Sequence, residues 1–162
     1  MCFYDLLAWH FVIRKKYKDK EGKYSMLITR ECDYGVRIIR ALASGDKMCV
    51  HQICEQEDLT PAFVYKILKK LEKKEIVKSF RGSNGGYALK SSVKELTLLD
   101  IYLAVDPEFY MIECMNPQKP CIHNQSDCGC AVHRELARVQ QILLTELKAH
   151  SIAEIIGLEK EE

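Results

Sequence analysis

Residues 60–89 constrain the fold of this chain more than any other stretch, and they read TPAFVYKILKKLEKKEIVKSFRGSNGGYAL. Threonine followed by proline is a typical helix start, because the hydroxyl can cap free amide groups and proline needs no amide hydrogen at the first helical position. Apolar residues then recur at the spacing of one helical face, and lysines occupy most of the remaining surface. The pattern predicts an amphipathic helix after Thr60 with one basic face. Its expected core positions are Val64, Ile67, Leu68 and Leu71.

A glycine-rich hairpin is predicted directly after this helix. A short apolar strand around Ile76 and Val77 comes first, a second strand starts at Tyr87, and the sequence between them includes Arg-Gly-Ser-Asn-Gly-Gly. Glycines allow the chain to turn tightly, so the arginine can lie on a slim tip. A helix with one core face and one basic face, joined to a basic hairpin, is typical of a recognition helix and its wing.

The flanking segments complete a mostly helical domain. Upstream, helices are predicted over residues 29 to about 44 and 50–56, which gives helix-turn-helix geometry. Downstream, helices are predicted over residues 97–105, from about 131 to 149, and around Ile152. The expected fold class is mostly α with a small β wing, a winged helix-turn-helix followed by a long C-terminal dimerisation helix.

We expect five segments along the chain. Residues 1–25 show no periodicity tied to the rest of the sequence, and we interpret them as a translated leader ahead of a start at Met26, or as a disordered extension. The other expected segments are a DNA-binding winged helix-turn-helix (26–105), a cysteine sensor loop (106–133), a dimerisation helix with a C-terminal motif (131–157) and an acidic tail (158–162).

Charge is spread unevenly, although the net charge is only +1. Residues 26–90 hold twelve basic and eight acidic residues, whereas residues 91–162 hold six basic and twelve acidic ones. This asymmetry favours nucleic acid as a partner on one side of the molecule. No stretch is apolar and long enough to predict a membrane span, and no nucleophile–base pattern or Walker-type phosphate loop indicates an enzyme.

Eight cysteines without a recognisable secretory signal suggest a reducing cytoplasm, where clustered cysteines indicate metal or redox chemistry more than disulfides. Four of them fall in the aperiodic loop, without the C-x-x-C pairs that are typical of zinc sites. Cys130 and His133 lie three residues apart at a helix start, so both side chains can reach one metal centre. The residues alone leave an iron–sulfur cluster, a thiol-only redox switch and a zinc site open.

Residues 26–157 resemble the Rrf2 family of bacterial winged-helix regulators, which includes iron–sulfur regulators and nitric-oxide sensors. MLITRECDYGVRIIRALA resembles the first helix of the family, and SFRGSNGGYAL is similar to its R-G-x-x-G-G-Y wing. VKELTLLDIYLAVD and HSIAEII resemble the helix after the wing and the short C-terminal motif. Each piece alone is a weak signal, but the combination is specific.

The resemblance implies sequence-specific binding to an operator in double-stranded DNA by a homodimer. Side chains near the start of the recognition helix would contact base edges, lysines would contact phosphates, and the wing tip would enter a minor groove. Tyr65 stands where many members have an acidic residue, so the operator is expected to differ from theirs. The expected DNA-binding residues are Thr60, Ala62, Phe63, Tyr65, Lys66, Lys69, Lys70, Arg81, Gly82, Ser83, Asn84, Gly85 and Gly86.

The resemblance also implies that three loop cysteines bind an iron–sulfur cluster of the 2Fe-2S or 4Fe-4S type. One branch of the family adds a histidine three residues after the third cysteine, and a second branch uses an acidic residue from the partner subunit's first helix. Cys128 is an alternate third cysteine, and Asp33 an alternate fourth ligand. The expected ligands are Cys114, Cys121, Cys130 and His133.

The sequence therefore predicts a cytoplasmic transcription regulator, expected to be a repressor, that senses iron–sulfur status or oxidative or nitrosative stress. A metal-free, thiol-sensing regulator of the same fold is the alternative, and an iron–sulfur carrier is less favoured. RNA polymerase is a further partner that this function would allow.

Overall fold

The structure is a computed structural model that describes residues 29–82, 84–107, 110–119, 121, 123 and 129–158. The predicted leader and the start at Met26, the wing residue Ser83, the alternate ligand Cys128 and most of the acidic tail lie outside the described residues. Within the described ranges, no helix combines the length and the apolar character needed to cross a membrane.

Three helices form the first half of the domain: α1 (Arg30–Leu42), α2 (Val50–Glu57) and α3 (Pro61–Lys73). Thr60 occupies the N-cap position of α3 as predicted, although its hydroxyl makes no capping hydrogen bond. The helix α1 ends before the predicted boundary near residue 44, because the Gly45 amide already donates to the Leu42 carbonyl oxygen in a turn at 3.1 Å. The predicted helix-turn-helix arrangement is confirmed.

A two-stranded antiparallel sheet comes after α3 and forms the wing. Its strands are β1 (Val77–Phe80) and β2 (Gly86–Leu89), with Val77 opposite Leu89 and Phe80 opposite Gly86. A side chain at position 86 would meet the Met48 carbonyl oxygen at 2.6 Å, because Met48 and Tyr87 form a bridge beside the strand. Glycine therefore lets the wing pack tightly against the turn between α1 and α2.

The C-terminal half adds α4 (Leu98–Val105), a 3₁₀ turn (Glu113–Met115), α5 (Ala131–Lys148) and α6 (Ile152–Ile155). The core lies between α1, α3 and α4, and its fully buried side chains include Ile38, Ile67, Leu68 and Ile101. Only Leu147 of α5 is buried. The mostly α fold with a small β wing is confirmed, while most of α5 lies outside the core.

Candidate DNA-binding surface and cysteine loop

The helix α3 separates a buried face from a basic exposed face. Its four predicted core residues are 0% exposed. Because successive residues rotate by about 100° around an α-helix, the side opposite these residues is fixed by their positions. That side carries Ala62, Lys66, Lys69 and Lys73, and we call these residues the outward row.

Two aromatic residues lie on opposite flanks of the outward row. The Phe63 ring packs edge-on against the Tyr34 ring of α1, with centroids 5.5 Å apart, and remains 45% exposed. Tyr65 lies on the other flank and is 56% exposed. The structure thus brings the aromatic side chains to the start of α3, but it gives Phe63 a packing role within the domain as well.

One carboxylate of α1 holds two lysines of α3. Lys70 Nζ donates to Glu31 Oε2 at 2.6 Å, and Lys66 donates to Glu31 Oε1. Lys70 Nζ also donates to the Val105 carbonyl oxygen at 2.7 Å, at the end of α4. Hydrogen bonds from Lys66 and then Lys70 lower the pKa of Glu31, so this carboxylate is ionised at neutral pH. Lys66 and Lys70 are therefore engaged within the chain.

The remaining predicted cations are placed differently. Lys69, Lys73 and Arg81 are exposed, and none of them makes an ion pair with another described residue. Arg81 lies on the wing tip, where Gly82 adopts a φ of 100° and its carbonyl oxygen accepts from the Gly85 amide at 3.0 Å. Lys69, Lys73 and Arg81 thus remain available for an external anion.

Other charged residues of this region were not predicted from the sequence. Lys47 and Lys78 place their Nζ atoms 5.6 and 5.3 Å from the Phe80 ring centroid, on the exposed side of the wing. The apolar Val77 could have indicated that the next residue of β1, Lys78, points to the other face and outward. No local sequence signal brings Lys47 to Phe80 or Glu31 to α3, because both contacts depend on tertiary packing.

A further ion pair fixes the turn that leads into α3. The side chain of Glu57 is 2% exposed, and both of its oxygens accept from the Arg40 guanidinium. Arg37 reaches the backbone of the same residue, with its Nη1 at 3.4 Å from the Glu57 carbonyl oxygen. Two arginines of α1 therefore bind the last residue of α2, directly before the turn into α3.

The cysteine loop contacts the first turn and the middle of α5. Cys114 Sγ lies 3.5 Å from His133 Nδ1, and the Met111 amide donates to Gln140 Oε1 at 2.8 Å. Burial, followed by the neighbouring Cys121, raises the pKa of the Cys114 thiol, and Cys130 acts in the same direction. The structure thus places Cys114 in contact with His133, and Cys121 and Cys130 lie close enough to act on the Cys114 thiol.

This neighbourhood is a partial fit to a metal centre. Within the described ranges, no three His, Cys, Asp or Glu side chains stand together at distances that could hold a metal ion. The donor set of three thiols and an imidazole is nevertheless the chemistry that iron–sulfur sites use. Asp33 pairs with Arg37 of its own helix at 3.0 Å, and Cys32 is 1% exposed within the core.

The fold and the basic surface together define a class of protein. A helix-turn-helix core, an exposed basic third helix and an arginine-tipped wing are the parts of a winged-helix transcriptional regulator. The matching family model is Rrf2, described as an iron-dependent transcriptional regulator, and it covers residues 28–157. The chain therefore belongs to the Rrf2 family of transcriptional regulators, and this assignment confirms the predicted resemblance.

Curated relatives and solved structures agree with this assignment. The chain is 24% identical over 135 residues to the HTH-type transcriptional regulator NsrR of Bacillus licheniformis. The aligned region covers 81% of this chain and 92% of NsrR. It is also 26% identical over 137 residues to protein aau3 of Rhizobium meliloti, and this alignment covers 81% of this chain and 85% of aau3. These relatives span most of the chain, so the similarity extends beyond the helix-turn-helix.

Two solved structures share the fold at low sequence identity. CymR, the global cysteine regulator of B. subtilis, has a TM-score of 0.63 at 21% identity and covers 84% of this chain and all of that chain. IscR of T. potens has a TM-score of 0.61 at 17% identity and covers 83% of this chain and 92% of that chain. The family comprises transcriptional regulators, in agreement with the expectation that this chain is not an enzyme.

Proposed function

We propose that the chain binds an operator in double-stranded DNA, with α3 in the major groove and the wing tip at a minor groove. The observation that carries this proposal is the outward row, a basic strip on α3 beside a wing that presents Arg81. Phosphate contacts would come mainly from Lys69, Lys73 and Arg81, and base contacts from Ala62, Tyr65 and the start of the helix. The glycines of the wing would allow the backbone to approach the duplex closely. Thr60, Ser83 and Asn84 are further DNA contacts that the family resemblance implies.

An operator selected from a random duplex pool would test this proposal directly. The Lys69→Gln and Arg81→Gln variants should each weaken binding and flatten the dependence of log K on log salt by about 0.9 for each phosphate interaction removed. Lys94→Gln is the matched control, because it removes an exposed lysine from a segment that is bound to α6 and is not part of α3 or the wing. The neighbouring Val93 carbonyl oxygen accepts a hydrogen bond from the Ala153 amide of α6. Equal effects of all three substitutions would contradict the assigned surface.

A homodimer formed through α5 is part of the proposal. The described chain covers most apolar side chains of α5 only in part, and it leaves Val132 65% and Ile142 49% exposed. Two copies would place two recognition helices on half-sites about one DNA turn apart. We expect Ile142→Glu to shift the chain to a monomer in light scattering, while Gln141→Glu, on the neighbouring exposed position, leaves the mass unchanged.

We further propose that Cys114, Cys121, Cys130 and His133 hold an iron–sulfur cluster. Support comes from the Cys114–His133 contact, from the influence of Cys121 and Cys130 on Cys114, and from the family description as iron-dependent. A cluster bound there would supply a centre sensitive to oxygen, nitric oxide and iron supply. Cys128 and the partner subunit's Asp33 are the alternate ligands. The loop would couple the sensor to the repressor function through α5.

A metal-free thiol sensor is the second candidate, favoured by the lack of a ready three-ligand group in the described ranges. Anaerobic purification with visible absorption, iron and sulfide analysis separates the two. A coloured protein with matching iron and sulfide supports the cluster, whereas a colourless protein after reconstitution supports the thiol switch. A regulator of either type would act on the chromosome in the cytoplasm, where RNA polymerase is a candidate partner.

A further inference from the structure

One carboxylate lies at the edge of the surface that is proposed to face DNA. The side chain of Glu31 is 27% exposed, and its two oxygens bind Lys66 and Lys70, whose side chains are 54% and 35% exposed. Lys66 belongs to the outward row, and Lys70 lies on the adjacent flank. A carboxylate and a DNA phosphate bind an ammonium group in the same way, through anionic oxygens that accept charge-assisted hydrogen bonds. The two anions are therefore alternatives for the same donors.

We infer that Glu31 competes with DNA phosphate for Lys66 and Lys70, and so weakens DNA binding from within the chain. This inference rests on the proposed function, because it requires α3 to face the duplex. Binding would exchange one anion for another at the two ammonium groups, so the gain from each phosphate contact is reduced. A free carboxylate would then also lie close to the phosphate backbone and repel it.

The two lysines are held unequally, and this difference predicts which one becomes available. Lys70 also donates to the Val105 carbonyl oxygen, whereas Lys66 donates to Glu31 and to no other residue of the described chain. Removing the carboxylate should therefore release Lys66 fully and leave Lys70 tied to the end of α4. Val105 is the last residue of α4 before the cysteine loop, so the competing contact lies between the recognition helix and the base of the sensor loop.

The test compares DNA binding by the full chain and its Glu31→Gln variant over a range of salt concentrations. The probe is the selected operator duplex of about 30 base pairs, long enough for two half-sites one helical turn apart. We expect Glu31→Gln to bind about two- to fivefold more tightly per half-site, the range that a surface ion pair represents. The salt slope should steepen by about 0.9 per half-site, for one additional phosphate contact at each.

A double substitution identifies Lys66 as the released group. Lys66→Gln should have a small effect in the wild-type chain and a larger one in the Glu31→Gln background, since the lysine contacts phosphate freely only there. Glu75→Gln is the matched control, because it removes a carboxylate from another Glu–Lys pair, 2.6 Å from Lys90, outside α3. Glu31→Ala, checked by thermal unfolding, guards against an effect peculiar to glutamine.

The outcomes separate this inference from the proposed function. If the wild-type chain binds the operator and both Glu31 variants bind equally or more weakly, Glu31 positions the lysines and the inference is wrong. A gain no larger than that of Glu75→Gln would also overturn it, because it would reflect net charge alone. If neither the wild-type chain nor the variants bind duplex DNA, the proposed function fails together with the inference.

Discussion

The recognition helix α3 and the cysteine loop differ in what determines the positions of their side chains. The helix buries four residues completely and contacts α1, α2 and α4. The described part of the loop contains a short 3₁₀ turn without a buried residue, and it contacts α5 through Cys114 and Met111. The helix is therefore positioned by the protein core, whereas the loop has little core of its own.

This difference fits the two tasks proposed for these regions, DNA recognition by α3 and sensing by the loop. A recognition helix must keep the same orientation on every operator, so it benefits from dense packing on its inner face. A sensor must exist in two arrangements of similar free energy, and a segment with few buried contacts can provide them. The contrast predicts large stability effects for substitutions in α3 and small ones for substitutions in the loop.

The largest effect is expected for Leu68→Ala in the core face of α3. Leu68 is 0% exposed, and truncation of such a leucine leaves a cavity that typically lowers the free energy of unfolding by about 2–5 kcal/mol. Urea unfolding followed by circular dichroism would measure the change. Leu158→Ala is the control, because Leu158 is 52% exposed after α6 and the same truncation there should change the value by less than about 0.5 kcal/mol. Equal effects would contradict the packing contrast.

An intermediate effect is expected for Glu57→Gln at the turn before α3. The Glu57 side chain is 2% exposed and accepts from Arg40, and hydrogen bonds to charged groups typically contribute about 1.5–3 kcal/mol. Because the substitution also alters the entry into α3, operator affinity should fall together with stability. Glu135→Gln breaks an exposed pair with Arg138 on α5 and should change both quantities less. A destabilised variant with unchanged affinity would show that the turn does not orient α3.

The fold could be predicted because a helix that buries one face has apolar residues at regular intervals in its sequence. Leu68 and its neighbours on α3 follow the helical spacing, and the glycines mark the wing, so these elements are visible without tertiary information. Glu57 shows the limit, since its position beside the turn before α3 gives no sign of burial, and the arginines that cover it lie seventeen and twenty positions earlier in the chain. No pattern in the sequence around Glu57 indicates these distant partners, so its burial could not be predicted.

In the candidate site, too, some features could be predicted from the sequence and others depend on tertiary contacts. The positions of Lys69 and Arg81 on the exposed surface follow from the pattern, whereas the pairing of Lys66 and Lys70 with Glu31 does not. For the loop, the sequence directly indicates the types of donor and the three-residue step from Cys130 to His133. The geometry of these four ligands could not be predicted, because no helical or strand period relates Cys114 to Cys121. A bound cluster would also help to determine where the ligands lie.

A smaller effect is expected at Glu31, and it depends on pH. Lys66 and Lys70 lower the pKa of this carboxyl group below the ordinary value of 4.5, so the ionised form stabilises the folded chain. That contribution is complete above pH 4.5 and is lost as the pH falls through the lower folded-state pKa. As a screened pair near the surface it should amount to about 0.2–1 kcal/mol.

Urea unfolding of the wild-type chain and of Glu31→Gln at several pH values checks this expectation. The difference in stability between the two should be largest near neutral pH, should shrink below pH 4.5 and should also shrink in high salt. Glu146→Gln, an exposed position on α5, provides the control. A difference that stays constant with pH would mean that the glutamine disturbs packing and that the ion pairs contribute nothing measurable.

The smallest effect on folding is expected for Cys114→Ser in the metal-free chain. The Cys114 side chain is half-buried in the loop and contacts His133, so serine should leave the Tm unchanged while it removes iron and visible absorption from anaerobically purified protein. Cys32→Ser is the matched comparison, because Cys32 is 1% exposed in the core and serine there should lower the Tm and retain the iron. If Cys114→Ser lowers the Tm as much as Cys32→Ser does, the loop is part of the packed core, and a change in its ligands would act on the whole domain.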